Sequence, residues 1–253
     1  AKMQIPQGVT VMVDEGAVIK LRRADIGVGS TDSVVDRSAS SLQVYGTPRL
    51  LKWDDQWEPV EVHQDLAGHP VIGHVYFTSL HDAEIGQGTN PDLNPPAAEA
   101  GDWGGLGFRH RVDRGQESRF VYETEGIFLN SVAFADIRYG GGIVEVDSIP
   151  QVVRPIDLTD ARPSIHFNQV RFSADAAIGS TPNSSEETNF HAPKYQSIPF
   201  TSDYSRVGPA IHGNLLVDNS INGHFIVIAT PATEDLEKLT VTAKWDDQDV
   251  VTV

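Results

Sequence analysis

Three segments of the chain share one pattern, Ile-x-x-Asn-x-Val/Leu: Ile127-Phe128-Leu129-Asn130-Ser131-Val132, Ile165-His166-Phe167-Asn168-Gln169-Val170 and Ile211-His212-Gly213-Asn214-Leu215-Leu216. Apolar residues on both sides of a single Asn describe a strand that buries its side chains and then turns sharply. Asn tolerates left-handed backbone and can hydrogen-bond to the turns above and below it. The repeat therefore predicts stacked coils, with Asn130, Asn168 and Asn214 as structural turn residues. The fold expected is all-β: a right-handed single-stranded parallel β-helix, or solenoid, with long loop insertions. The aligned Ile positions are 127, 165 and 211, a wider spacing than the roughly 20 to 30 residues of a compact coil. Loops must bulge from the coils or further coils intervene, and insertions are expected near 50–73, 86–101 and 181–208, leaving from one side of the solenoid.

Strand-like runs dominate the rest of the chain: Val9-Thr10-Val11-Met12-Val13, Ala17-Val18-Ile19-Lys20-Leu21, Ser41-Leu42-Gln43-Val44-Tyr45, His74-Val75-Tyr76-Phe77-Thr78 and His224-Phe225-Ile226-Val227-Ile228. Each is short, rich in β-branched or aromatic residues and closed by Gly, Pro, Asn or Asp. Helical periodicity is nearly absent. A β-sandwich is the alternative, because it too alternates short strands with turns. Continuously apolar Phe225-Ile226-Val227-Ile228 favours parallel strands buried on both faces.

The 253 residues form one unit, 1–253, with 40% hydrophobic content, enough for a continuous core. A formal charge of -16 repels nucleic-acid backbones and anionic membranes, and no run is long and apolar enough to insert in a bilayer. The absence of cysteine excludes disulfides and thiolate chemistry. Asp249-Val250-Val251-Thr252-Val253 reads as a strand in progress, so the chain is expected to be a segment of a longer one.

A further set of residues carries a resemblance: Ile5-Pro6-Gln7-Gly8-Val9-Thr10, Gly16-Ala17-Val18-Ile19-Lys20-Leu21, Asp36-Arg37-Ser38, Leu42-Gln43-Val44-Tyr45-Gly46-Thr47-Pro48, Phe77-Thr78-Ser79, Gly101-Asp102-Trp103-Gly104-Gly105-Leu106, Arg138-Tyr139-Gly140-Gly141-Gly142, Asn219-Ser220-Ile221-Asn222-Gly223-His224-Phe225 and Trp245-Asp246-Asp247-Gln248-Asp249-Val250-Val251. In this order, over nearly the whole chain, they resemble the β-helix segments of very large, repetitive bacterial surface or secreted proteins. The resemblance implies an extracellular or cell-surface location and a structural or adhesive role. It supplies no catalytic motif. Neighbouring segments or other copies are the implied partners, through assembly into fibres or a surface layer, and glycans are a further candidate.

The alternative activity is that of a carbohydrate-active β-helix enzyme, a polysaccharide lyase or glycoside hydrolase. Asp136 with Arg138 follows the Asn130 turn, and Asp175 follows the Asn168 turn at nearly the same offset. In register on neighbouring coils the two carboxylates would stand about 5 Å apart, which suits a retaining pair. The nine histidines form no zinc motif. Calcium is the one cofactor considered, from the oxygen-rich turns Asn90-Pro91-Asp92-Leu93-Asn94 and Trp245-Asp246-Asp247-Gln248-Asp249, neither of which matches a known calcium loop. Gly140-Gly141-Gly142 and Gly27-Val28-Gly29 lack the rest of a phosphate loop, and Gly-x-Ser-x-Gly is absent. The candidate binding residues are Trp53 and Trp57 in one insertion and His191, Tyr195, Phe200 and Tyr204 in another.

Overall fold

The computed structural model describes residues 3–31, 33–47, 51–53, 59–61, 74–86, 94, 96–116, 123, 127–146, 148–188, 206–228, 239–243 and 250–253. Strands β1 (Met3–Gln4), β2 (Thr10–Asp14) and β3 (Val18–Leu21) each open a different sheet. The next round is β4 (Ile26–Gly29), β5 (Ser41–Tyr45), a hairpin of β6 (Leu51–Trp53) and β7 (Pro59–Glu61), and β8 (Val75–Ser79). The third is β9 (Leu106–Arg109), a short helix α1 (Arg111–Gln116), β10 (Ser131–Ala133) and β11 (Ala135–Arg138), followed by a hairpin of β12 (Ile143–Val146) and β13 (Ile149–Val152). The fourth is β14 (Ile156–Thr159), β15 (Ser164–His166) and β16 (Gln169–Arg171). The fifth is β17 (Ala176–Ser180), the short pair β18 (Glu187–Thr188) and β19 (Arg206–Val207), β20 (Ala210–His212) and β21 (Leu215–Val217), before β22 (Ile221–Ile226) returns to the first sheet.

The first sheet runs β1-β4-β9-β14-β17-β22, the second β2-β5-β10-β15-β20 and the third β3-β8-β11-β16-β21. Every neighbouring pair within them is parallel. The chain thus visits the three sheets in a fixed rotation. Parallel ladders throughout set aside the β-sandwich, whose sheets are antiparallel. Branched and aromatic residues stack inward in rows: Ile26, Leu106, Ile156 and Ile178 in the first sheet; Val44, Val132, Ile165 and Ile211 in the second; Phe77, Ile137 and Val170 in the third. All belong to one buried cluster. Each such side chain contributes about 1.5 to 3 kcal/mol on burial.

The registers revise the repeat. Val132, not Ile127, stands opposite Ile165 and Ile211. Asn130 therefore precedes its second-sheet strand, whereas Asn168 and Asn214 follow theirs. The reason lies in which corner carries the Asn: the corners are equally long, but the position in register with Asn168 and Asn214 is Ala135, so Asn130 belongs to the preceding corner, before β10. Asn168 and Asn214 bond as a ladder. Asn168 Oδ1 accepts from Ala135 N–H at 2.9 Å, and Asn168 Nδ2 donates to Val132 O at 2.8 Å and to Asn214 Oδ1 at 3.0 Å. Asn130 joins another network: its Oδ1 accepts from Leu42 N–H and its Nδ2 donates to His110 Nε2 at 2.7 Å, with Asp113 2.8 Å from His110 Nδ1.

Two further expectations change. The stretch Phe225 to Ile228 is not buried on both faces: β22 ends at Ile226 and Ile228 is exposed. The insertions do not leave from one side either. They depart between the second and third sheets (46–74), between the third and first (80–105 and 139–155), and between the first and second (30–40, 110–130 and 181–209).

Candidate functional site

The outward face of the third sheet gathers the densest set of charged and aromatic side chains on described strands. Alternation along each strand sends Tyr76 and Thr78 of β8, Asp136 and Arg138 of β11, and Gln169 and Arg171 of β16 to the side opposite the core. The register aligns Tyr76 with Asp136 with Gln169, and Arg138 with Arg171. Asp136, buried, accepts from Arg138 through both oxygens, with Nη2 at 3.0 Å, and from Arg171 Nη2 at 2.6 Å. Arg138 also reaches Glu84 at 3.2 Å and Asp82 at 3.8 Å. The segment after β8 is thereby pinned to the sheet, and Lys20 Nζ adds a bond to Asp82 O at 2.7 Å.

Ionisation on this face follows from burial and from Asp136. Burial lowers the His74 pKa below its usual 6.5; Asp136 pulls it back up and Arg171 pushes it further down. Burial raises the Tyr76 hydroxyl, and the Asp136 charge adds to that. Tyr139 is raised by burial and then by Asp82 and Glu84. For Arg138, burial opposes the charge, but the Asp136 hydrogen bond and the charges of Asp136, Asp82 and Glu84 outweigh it and raise the pKa. His74 Nδ1 is buried and without a hydrogen-bond partner among the described residues.

Strained aromatic corners border the face. Phe134 and Phe167 on one edge, and Tyr139 and Phe172 on the other, all hold φ between 53° and 61°. Bulky residues rarely adopt this left-handed region, at a cost of roughly 1 to 2 kcal/mol each. Ring stacking offsets part of that: Phe134 lies on Phe167 and Tyr139 on Phe172, each with centroids 5.2 Å apart.

A second cluster sits on the first sheet. Arg154 holds Asp157 at 3.3 Å and Asp175 at 3.4 Å, and its guanidinium lies 5.4 Å over Phe225. Burial raises the Asp157 pKa while Arg154 pulls against it. The carboxylate pair expected from sequence is corrected here. Asp136 lies on β11 of the third sheet, whereas Asp175 immediately precedes β17 of the first; the register neighbours of Asp136 are Tyr76 and Gln169, and Asp175 meets Asp157 through Arg154 instead. Arg138 does pair with Asp136.

Of the aromatic candidates, Trp53 lies on β6, whereas Trp57, His191, Tyr195, Phe200 and Tyr204 fall outside the described residues. So does the turn Trp245 to Asp249, and of Asn90 to Asn94 only Asn94 is described. Among the described residues no group of three or more His, Cys, Asp or Glu side chains is placed to hold a metal ion, and no helix is long and apolar enough to cross a membrane. Sequence reasoning missed His74, Tyr76, Gln169 and Arg171. Their signal was the shared rhythm of Asp136-Ile137-Arg138 and Gln169-Val170-Arg171, a buried residue between two outward polar ones. No family model, curated protein or solved structure matches the chain.

Proposed function

We propose that the chain is a right-handed parallel β-helix and serves as a non-catalytic structural and adhesive module of a large bacterial extracellular or surface protein, displaying a face for glycans. Handedness follows from the general rule that parallel crossovers are right-handed in about 98% of cases. The observation that carries the non-catalytic reading is the state of Asp136. Both its oxygens are engaged by Arg138 and Arg171 on adjacent rungs, so this carboxylate ties coils together. Assembly with neighbouring segments or other copies belongs to the same reading. Val11, Val13 and Ile19 are only half-buried on β2 and β3, which have a ladder partner on one side among the described residues.

The test is a glycan array with and without calcium, run beside reducing-sugar release from the same polysaccharides. Binding without turnover is expected. Cleavage that disappears in Asp136→Asn or Asp175→Asn would replace this reading with the enzyme. One observation favours that second reading: Asp157, with its raised pKa, and Asp175 share Arg154, and two carboxyls in unlike environments are what glycoside hydrolysis uses.

A further inference from the structure

Two polar side chains stand next to each other on β16 with bonding capacity unused. Arg171 gives one edge of its guanidinium to Asp136, Nη2 at 2.6 Å and Nε at 3.4 Å, and its Nη1 has no hydrogen-bond partner among the described residues. The Arg171 side chain is 22% exposed. Gln169 precedes it by two residues, so it shares the outward face. Its side-chain amide makes no hydrogen bond among the described residues. Phe172 lies 5.7 Å from the guanidinium carbon and helps to fix the fork's orientation. Exposed Phe167 precedes the pair, and exposed Leu215 is the cross-strand neighbour of Gln169.

We infer that this patch binds a saccharide residue bearing a single carboxylate, an inference that rests on the glycan-displaying reading above. Arginine presents two bidentate edges, and Asp136 occupies the Nε/Nη2 one. The free Nη1/Nη2 edge matches a second carboxylate in a planar two-bond pair. The Gln169 amide both donates and accepts, as hydroxyl recognition requires. Strand geometry sets it about 7 Å from the guanidinium's strand position, within one sugar unit of the carboxylate site. Phe167 and Leu215 offer apolar surface to the C–H face of the ring. A net charge of -16 works against polyanions, so the ligand is a largely neutral glycan carrying one acidic unit, not a polyuronate.

Calorimetric titration with an oligosaccharide ending in a hexuronate, and with the same oligosaccharide reduced to the neutral hexose, tests this. The carboxylated form should bind about 10-fold more tightly. Arg171→Gln should abolish that preference, Arg171→Lys should lose most of it, and Gln169→Ala should weaken both ligands about 3-fold. Equal binding of the two sugars by the unaltered protein would overturn the inference whether or not the Arg171 variants fold. So would a preference that survives Arg171→Gln, equal affinity for a sulfated analogue, or equal affinity for a peptide carboxylate. Glycan binding without carboxylate preference would leave the adhesive reading standing and sink this one; no saccharide binding at all would sink both.

Discussion

The first and third sheets both turn charged residues outward, yet they treat them in opposite ways. On the first sheet the register aligns Gln4, Gly27, Gly107, Asp157, Gly179 and Phe225. Long side chains lie flat over the bare glycines. Gln4 fills the space above Gly27, the Arg109 guanidinium that above Gly107, and the Arg154 stem that above Gly179. On the third sheet no outward position of β8, β11 or β16 is glycine, and the side chains brace one another through Asp136. Flattened arginines become part of the wall. Braced ones hold each other at a fixed height and leave one edge of Arg171 toward solvent.

The contrast can be broken where a glycine faces backbone. A Cβ at Gly105 would lie 1.7 Å from the Arg154 carbonyl oxygen, which cannot move without parting β9 from β14. Gly105→Ala should therefore cost about 3 kcal/mol or prevent folding, read by urea denaturation. Gly107→Ala meets only the movable end of Arg109 and should cost about 1 kcal/mol. Equal losses would show that the flattened side chains are as rigid as the backbone.

On the braced face, Asp136→Asn leaves two guanidinium groups without their shared counter-charge and should cost about 3 kcal/mol. Loss below 1 kcal/mol would mean that Glu84 and Asp82 suffice to hold Arg138. At the corner, Phe167→Ala forfeits the stack on Phe134 but keeps a φ of 56°, whereas Phe167→Gly also relieves the backbone. The glycine variant should be the more stable of the two by about 1 kcal/mol, since that conformation strains alanine. Gly213, one rung along with φ 68°, already uses this solution.

The smallest effect concerns acidity. The folded His74 pKa lies below 6.5, so the unfolded chain binds the proton first as pH falls. The His74 contribution is present above pH 6.5 and is lost as pH drops through the folded value. His74→Gln should flatten the fall in stability below pH 6.5, measured by urea denaturation at several pH values. An unchanged slope would place the acid sensitivity elsewhere.

Strand positions were readable because β-branched and aromatic residues concentrate in them. Ser41 to Tyr45 and His74 to Thr78 each carried enough branched or aromatic residues to mark a strand, and each became one within a residue. Register was not readable. The Asn pattern aligned Asn130 with Asn168, but the position in register with Asn168 is Ala135, which leaves no sequence mark, while Asn130 sits in the corner before β10. The third-sheet site was legible only in part, as Asp136 and Arg138. Their partner Arg171 follows 33 residues after Arg138 and becomes its neighbour only through the ladder. Pairing Asp175 with Asp136 failed because a nearly equal offset from an Asn does not mean the same sheet when one Asn precedes its second-sheet strand and the other follows it.

One turn of the chain runs from Ile156 to its cross-strand partner Ile178; another runs from Ile26 to Leu106, more than three times as far for the same advance of one rung. Closing a flexible loop costs only about 0.6 kcal/mol for each doubling of its length. The longer turn is therefore handicapped by only about 1 kcal/mol relative to the shorter. Such a frame tolerates cargo: segments can be lengthened, trimmed or exchanged at any of its three corners while the rungs on either side keep their alignment, so loop variation can proceed independently of the core that supports it.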